Sequence, residues 1–199
     1  MADGLQSRRL PLVLAAILVI VPPRAGSARQ IAVRADPPRL AWSLFRQVDS
    51  IEGSSEDAHI AAEMSFPRPL RMENVDGRYR LPSFTITVAP EPTRTIVRRS
   101  LDPSDTLLRH EQGHYDIVIL AARALARELE SLTAPSPREL SRLVEESVAN
   151  HTARAERVSE EYDRQTDRSR DSSAQARWDE LIAAALEDPA TTHIAELSL

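Results

Sequence analysis

The sequence contains no cysteine and no lysine, and only 4% of its 199 residues are aromatic. Without cysteine, neither a disulfide bond nor a thiolate metal ligand is available to the fold. The 25 basic residues are all arginines, they form no basic block, and the formal net charge is −5, so we expect no nucleic-acid partner. The scarcity of aromatic residues also disfavours a large apolar specificity pocket.

The first 28 residues have the pattern of a secretory signal peptide. Two arginines precede an apolar run at residues 10–21, and two prolines and several small residues follow it. A membrane-spanning helix needs about 20 apolar residues, so this run is short for one. We therefore predict a signal peptide at residues 1–28, cut after Ser27 or Ala28, and a secreted or periplasmic protein that does not bind membranes. An uncleaved N-terminal anchor is the alternative.

The chain after residue 28 divides into two parts of different pattern. Residues 29–100 hold short stretches in which apolar and polar residues alternate, as in HIAAEMSF, and this period of two predicts half-buried strands. Residues 102–187 carry helical patterns, and residues 188–199 are expected to form a flexible tail. The prediction is a single α+β domain at residues 29–187, in which a small antiparallel sheet packs on about three helices.

Turn and capping residues predict where the elements begin and end. Asp76 and Gly77 supply the positive φ angles of a tight turn between two strands. Asp102 suits the N-cap of a helix that would run to about residue 132. Ser136 and Glu139 form a capping box for a second helix. A third helix is expected from about residue 173 to residue 187.

The first predicted helix contains the stretch RHEQGHYDI at residues 109–117, which holds a His-Glu-x-x-His motif. His110 and His114 lie one turn apart on the same helix face, so both imidazoles can point at one metal ion. Zinc at this position would activate a water molecule, and Glu111, about 100° further around the helix, would act as the general base. Gly113 costs about 1 kcal/mol in mid-helix, which predicts that another group packs closely against its backbone.

A catalytic zinc site normally needs a third protein ligand. If the first two helices form an antiparallel hairpin, His110 and His114 lie level with residues close to 156, within about one helical turn. The candidates within reach are His151, Glu156, Glu160, Glu161, Asp163 and Asp167. His151 lies on the apolar face and is better interpreted as a hydrogen-bonded core residue. Asp163 points about 100° away from that face, so it requires the helix to bend or end there.

Three stretches of the chain resemble the bacterial family known as domain of unknown function 922. Residues 39–45, RLAWSLF, resemble its Leu-x-Trp-Ser-Asp-Phe segment, although Leu44 stands where an aspartate is usual. Residues 107–117, LLRHEQGHYDI, are close to its LLxHEQGHFDI helix. Residues 161–182 resemble its Tyr-Asp-x-x-Thr-x-His-Gly segment and the Gln-x-x-Trp that follows. Members of the family are proposed to be secreted zinc-dependent proteases, so the resemblance implies a zincin-like metallopeptidase with a zinc cofactor.

One departure from the family pattern concerns the third metal ligand. This chain has Arg168 and Ser169 where the family has His-Gly. An arginine stays protonated and cannot replace a histidine as a metal ligand. The resemblance therefore directs the choice to a neighbouring acid, with Asp163 first and Asp167 second, and Arg168 could instead hold a carboxylate or carbonyl group of the substrate. Tyr162 matches the family's tyrosine and is interpreted as a core residue rather than as an oxyanion-stabilising one.

The sequence thus predicts a zinc metallopeptidase that acts on a peptide or protein substrate. Zinc would be held by His110, His114 and Asp163, and Glu111 would be catalytic. The substrate would add as an extended strand to a sheet edge at residues 84–89. The alternative is a catalytically degenerate envelope protein that keeps the fold and acts by binding. A third hypothesis, a helical interaction module without a metal, leaves the histidine motif unexplained.

Overall fold

The computed structural model of the chain describes residues 19–21, 29–51, 56–100 and 104–199. These residues form an α+β structure in which small sheets of mixed strands precede three helices, so the predicted fold class is confirmed. The strands are β1 Val19–Val21, β2 Ile31–Ala35, β3 Arg46–Val48, β4 Ala58–His59, β5 Ala62–Ser65, β6 Arg71–Val75, β7 Arg78–Arg80, β8 Phe84–Pro90, β9 Ile96–Arg98, β10 His193–Ile194 and β11 Leu197–Ser198. The helices are α1 Asp105–Ser131, α2 Pro137–Thr166 and α3 Ser172–Glu187, and a short 3-10 turn covers Trp42–Leu44.

The strands pair in both directions, whereas the sequence predicted an antiparallel sheet. In the sheet that packs on α1, β2 is parallel to β8, with Ile31 opposite Phe84, and β5 pairs antiparallel to the other side of β8. A second sheet has the order β3-β9-β4, again with one parallel and one antiparallel pair. Alternation in the sequence shows that a segment is extended. The direction of pairing between strands far apart in the chain depends on how the connecting segments pack, which alternation does not contain.

Local signals in the sequence, by contrast, agree closely with the structure. Asp76 and Gly77 have φ angles of 52° and 80° and connect β6 to β7 as the predicted tight turn. Ser136 caps α2, because the amide of Glu139 donates a hydrogen bond of 3.2 Å to its Oγ. The N-cap of α1 is Ser104, whose Oγ accepts from the amide of Leu107. The predicted cap, Asp102, is therefore wrong by two positions, and this residue itself lies outside the described residues.

Helix α1 is buried on two sides and connects the two hydrophobic cores of the described structure. One face packs against the sheet β2-β8-β5 through residues such as Tyr115 and Leu125. The opposite face packs against α2 and α3 through residues such as Ile117 and Leu120. The hydroxyl of Tyr115 also donates a hydrogen bond of 2.8 Å to the carbonyl of Val88 in β8. Because both apolar faces of α1 are buried, the helix cannot rotate about its axis without exposing one of them. This packing fixes the direction in which each side chain leaves the helix.

The last residues of the chain fold back onto the helices, whereas the sequence suggested a flexible tail at residues 188–199. Strands β10 and β11 form a hairpin in which Ala195 and Glu196 have positive φ angles. Ile194 and Leu199 are buried in the core between the helices. The guanidinium of Arg127 donates to the carbonyl of Pro189 at 2.6 Å. Two buried apolar side chains and the hydrogen bond from Arg127 therefore hold this largely polar segment against the helices.

The N-terminal segment contributes one strand. Residues 1–18 and 22–28 of the predicted signal peptide lie outside the described residues, while Val19–Val21 form β1 in parallel with β6. Cleavage after Ser27 or Ala28 would remove this strand from its sheet. In the described part of the chain, no helix combines the length and the apolar character that a bilayer span requires.

Candidate metal centre

Three potential metal ligands come together where the first turns of α1 meet the last turns of α2. The Nε2 atoms of His110 and His114 lie 3.1 and 2.9 Å from Oδ1 of Asp163. The ligating atoms of the three residues all lie within 4.8 Å of one another. No second group of this kind occurs in the described ranges of the chain. The structure thus brings together the three residues that the sequence selected as metal ligands.

The donor set suits a zinc ion, and the two distances to Asp163 are close to those of a tetrahedral site. Imidazole nitrogens and carboxylate oxygens are typical protein ligands of catalytic zinc sites. Ligand atoms at about 2.0–2.1 Å from a tetrahedral zinc are about 3.3 Å from one another. The nitrogen–oxygen distances of 2.9 and 3.1 Å would have to lengthen by only a few tenths of an ångström.

Asp163 reaches the histidines although α2 continues beyond it to Thr166. The helix therefore does not end at Asp163, which was one of the two conditions that the sequence set for this ligand. Helix α2 packs against α3 as well as α1, and fully buried Tyr162 contacts Trp178 of α3 with ring centroids 5.2 Å apart. Asp163 directly follows Tyr162, so it lies at the edge of the buried face of α2, and its carboxylate reaches the Nε2 atoms of both histidines from there.

The electrostatics of the three residues favour a cation between them. Burial raises the pKa of Asp163, but the charge of His114 and hydrogen bonds from both rings outweigh it and hold the pKa well below its usual range. Burial lowers the pKa of His114, but the carboxylate of Asp163 outweighs it, so the pKa is raised overall. An ionised carboxylate is therefore held among imidazoles in a largely desolvated place, where a positive charge is strongly stabilised.

Glu111 lies beside the three ligands and is tied to the strand region. Its side chain is buried, and Oε2 accepts a hydrogen bond of 2.8 Å from the amide of Ile60, between β4 and β5. Burial raises the pKa of Glu111, opposed by the charges of His114 and His110. A carboxylate held in one position and made more basic by burial is suited to accept a proton.

Gly113 leaves room for Tyr162, which confirms the prediction of a close approach to its backbone. The Tyr162 ring stacks on His110, with centroids 4.7 Å apart and an interplanar angle of 21°. Its hydroxyl donates to the carbonyl of His110 at 3.3 Å. Tyr162 is completely buried, which agrees with its interpretation as a core residue. The tyrosine therefore supports the motif helix from the side of α2.

Replacing Gly113 by alanine is expected to destabilise the protein. The added Cβ would lie 2.7 Å from Cζ and 2.9 Å from Cε1 of Tyr162, whose buried ring cannot move away freely. We expect the free energy of unfolding to fall by about 1–3 kcal/mol, although alanine in a helix interior is ordinarily better than glycine by about 1 kcal/mol. Urea denaturation measures the change, and the same substitution in a Tyr162→Val background should cost less. A Gly113→Ala protein as stable as the wild type would contradict the close packing.

Two polar residues of α3 also reach the site, and the sequence had not selected them. Oε1 of Gln175 lies 3.1 Å from Nδ1 of His110. The Nε2 group of Gln175 donates to the hydroxyl of Tyr162 at 2.6 Å and to Oδ1 of Asp179 at 2.7 Å. The available signal was the Gln-x-x-Trp pattern at residues 175–178, which resembles the family but does not reveal which helix the glutamine contacts.

The segment that contains these ligands matches a known family model. Residues 72–170 match the family described as bacterial protein of unknown function, DUF922. The chain belongs to this family. The matched residues include His110, Glu111, His114 and Asp163, so the three grouped ligands and the glutamate beside them lie in the DUF922 region. Searches of curated proteins and of solved structures gave no match.

The position at which this DUF922 chain departs from the family pattern lies just beyond α2. Asp167, Arg168 and Ser169 have φ angles of 46°, 51° and 73°, so a serine occupies the left-handed conformation that a glycine would adopt more easily. Arg168 is not among the three grouped ligands, and its Nε lies 3.8 Å from Oε1 of Glu56. The group of three potential ligands is thus formed without a contribution from position 168.

The other candidate ligands lie in different surroundings. His151 is buried, and its Nε2 lies 2.9 Å from Oε2 of Glu128, which confirms its interpretation as a hydrogen-bonded core residue. Glu161 forms an ion pair with Arg164 at the surface. The remaining acids that the sequence left open are not part of the group of three: Glu156, Glu160 and Asp167.

Proposed function

We propose that the protein is a secreted or periplasmic zinc-dependent metallopeptidase that hydrolyses peptide bonds. The convergence of His110, His114 and Asp163 beside the carboxylate of Glu111 carries this proposal. The three residues would hold the zinc ion. Zinc in such a site acts as a Lewis acid and lowers the pKa of a coordinated water towards 7.

Residues of the chain would then accept the proton of this water and align the substrate. Glu111 would act as the general base, with Oε2 held by the amide of Ile60 and Oε1 taking the proton. Ile60, which holds Glu111, lies just before strand β5. The strand proposed below to align the substrate is therefore directly connected to the residue that positions the base.

The predicted binding edge at residues 84–89 is wrong, because β8 is the central strand of its sheet and pairs on both sides. In the described structure β5 forms the edge of this sheet on the side of Glu111. We propose that an extended peptide adds to β5, with main-chain hydrogen bonds supplying the alignment.

The proposal is tested by metal content and hydrolysis together. Purified protein should bind about one zinc ion per chain and should cleave an unfolded protein such as casein. Treatment with a chelator should stop cleavage, and added zinc should restore it. Absence of saturable zinc binding would contradict the proposed zinc site. Zinc binding without cleavage of any member of a peptide library would favour the alternative, a catalytically degenerate envelope protein.

A further inference from the structure

Arg168 lies at the rim of the candidate metal centre, close behind the potential ligand Asp163. Its amide donates a hydrogen bond of 3.0 Å to the carbonyl of Asp163. Its side chain is 46% exposed, and a guanidinium stays positively charged. The guanidinium faces the strand region, where its Nε lies 3.8 Å from Oε1 of Glu56. The rim of the centre therefore carries a permanent positive charge.

The partner of Arg168 connects this rim to the proposed general base. Oε2 of Glu56 lies 3.7 Å from Nδ1 of His59. The next residue, Ile60, donates its amide hydrogen bond to Glu111. The residues in contact with Arg168 thus precede Ile60 in the chain, and strand β5 follows it. A peptide that lies along β5 and crosses the centre would reach Arg168 at its other end.

The ion pair between Arg168 and Glu56 can be replaced by a better partner. Its distance of 3.8 Å is longer than a hydrogen bond, and 46% and 27% of the two side chains are exposed. Partly exposed pairs of this kind contribute little, because water competes for both charges. The planar donors of a guanidinium fit a carboxylate through two parallel hydrogen bonds, whereas a neutral peptide carbonyl forms weaker ones. Of the two substrate groups that the sequence left open for Arg168, the carboxylate is therefore favoured.

We infer that Arg168 selects peptides that carry a carboxylate on the side of the scissile bond away from β5. The carboxylate belongs to an aspartate or glutamate side chain or to the C-terminus of the peptide, since both offer the same two oxygens. It replaces Glu56 and accepts two hydrogen bonds from the guanidinium. The position relative to the scissile bond rests on the proposed function, whereas binding of the carboxylate by Arg168 does not require hydrolysis.

The test uses short labelled peptides that differ at one position. One series carries an aspartate at successive positions and ends in an amide, matched series carry asparagine or lysine instead, and a further peptide without acidic residues ends in a free carboxylate. Fluorescence anisotropy measures their binding to the full chain with Glu111→Gln, in which cleavage is expected to be slow. At one position, or at the free C-terminus, the carboxylate should raise affinity by about 10–100-fold, the effect of hydrogen bonds between charged groups. Cleavage by the wild type should show the same preference.

Two variants and a control, all in the Glu111→Gln background, separate recognition from support of the fold. Arg168→Gln removes the guanidinium and should abolish the preference. Glu56→Gln breaks the same ion pair but leaves the guanidinium, so it should keep or raise the preference. Arg170→Gln is the matched control, because Arg170 forms a similar exposed ion pair, 3.9 Å from Asp167. Each preference is a ratio measured on one preparation, so partial misfolding of a variant does not alter it.

Loss of the preference in Glu56→Gln as well as in Arg168→Gln would overturn the inference, since the ion pair would then only support the fold. A parent protein that binds all series equally would overturn it too, as would tighter binding of the lysine peptides, which would assign recognition to Glu56. If the preference depends on Arg168 but the wild type cuts no peptide, the proposed function fails while the carboxylate site stands. Cleavage without any carboxylate preference means the reverse.

Discussion

Glu111→Gln is expected to lower peptide hydrolysis by about 10²–10⁴-fold, the usual contribution of a general acid–base residue, and to leave zinc binding intact. The carbonyl of glutamine can still accept the hydrogen bond from the amide of Ile60, so the side chain keeps its position. What is lost is the ability to take a proton. The measurement is the rate of cleavage at saturating substrate, together with the zinc content of the same preparation.

The matched control for Glu111→Gln is Asp116→Asn on the same helix. Asp116 is also buried, and it accepts a hydrogen bond of 2.8 Å from Nε2 of Gln112 rather than facing the histidines. Hydrolysis by Asp116→Asn should remain close to that of the wild type. Equal rates for wild type and Glu111→Gln would show that the carboxylate is not the base.

Asp163→Asn is expected to weaken zinc binding by about 10²–10³-fold. Zinc-binding free energies of about 10–16 kcal/mol in four-ligand sites correspond to about 2.5–4 kcal/mol for each ligand, and about 1.4 kcal/mol corresponds to a factor of ten. An asparagine keeps the size of the side chain but removes the negative charge that faces both imidazoles. Competition with a chromophoric chelator measures the change in affinity.

Asp167→Asn distinguishes between the two acids that the sequence ranked first and second. Asp167 caps the end of α2 with a side chain that is 67% exposed and is not part of the group of three. Its replacement should leave zinc affinity unchanged, and so should Arg168→Ala. A loss of affinity in Asp167→Asn that exceeds the loss in Asp163→Asn would mean that the two residues exchange roles when metal binds.

Much of the secondary structure could be predicted because it depends on neighbouring residues. The Asp76–Gly77 turn and the Ser136 cap each follow from hydrogen bonds or φ angles within a few residues. Strand pairing could not be predicted in the same way. The parallel alignment of β2 with β8 joins residues more than 50 positions apart, as Ile31 opposite Phe84 illustrates.

The candidate site shows the same division. His110, Glu111 and His114 belong to one helix, so their relative positions follow from its 3.6-residue period. Helix phase argued against Asp163, because this residue lies about 100° away from the apolar stripe of α2. In the structure Asp163 is half-buried at the edge of that stripe, and its carboxylate still reaches the Nε2 atoms of both histidines.

The sequence by itself determined the α+β class, the helix that carries the histidine pair and the need for a small residue at Gly113. Only the tertiary structure decided that Asp163 completes the group, that Gln175 approaches His110, and that β5 rather than β8 lies at the sheet edge. The reason is physical: backbone geometry within one element repeats with a known period, whereas contacts between elements depend on how all buried surfaces pack together.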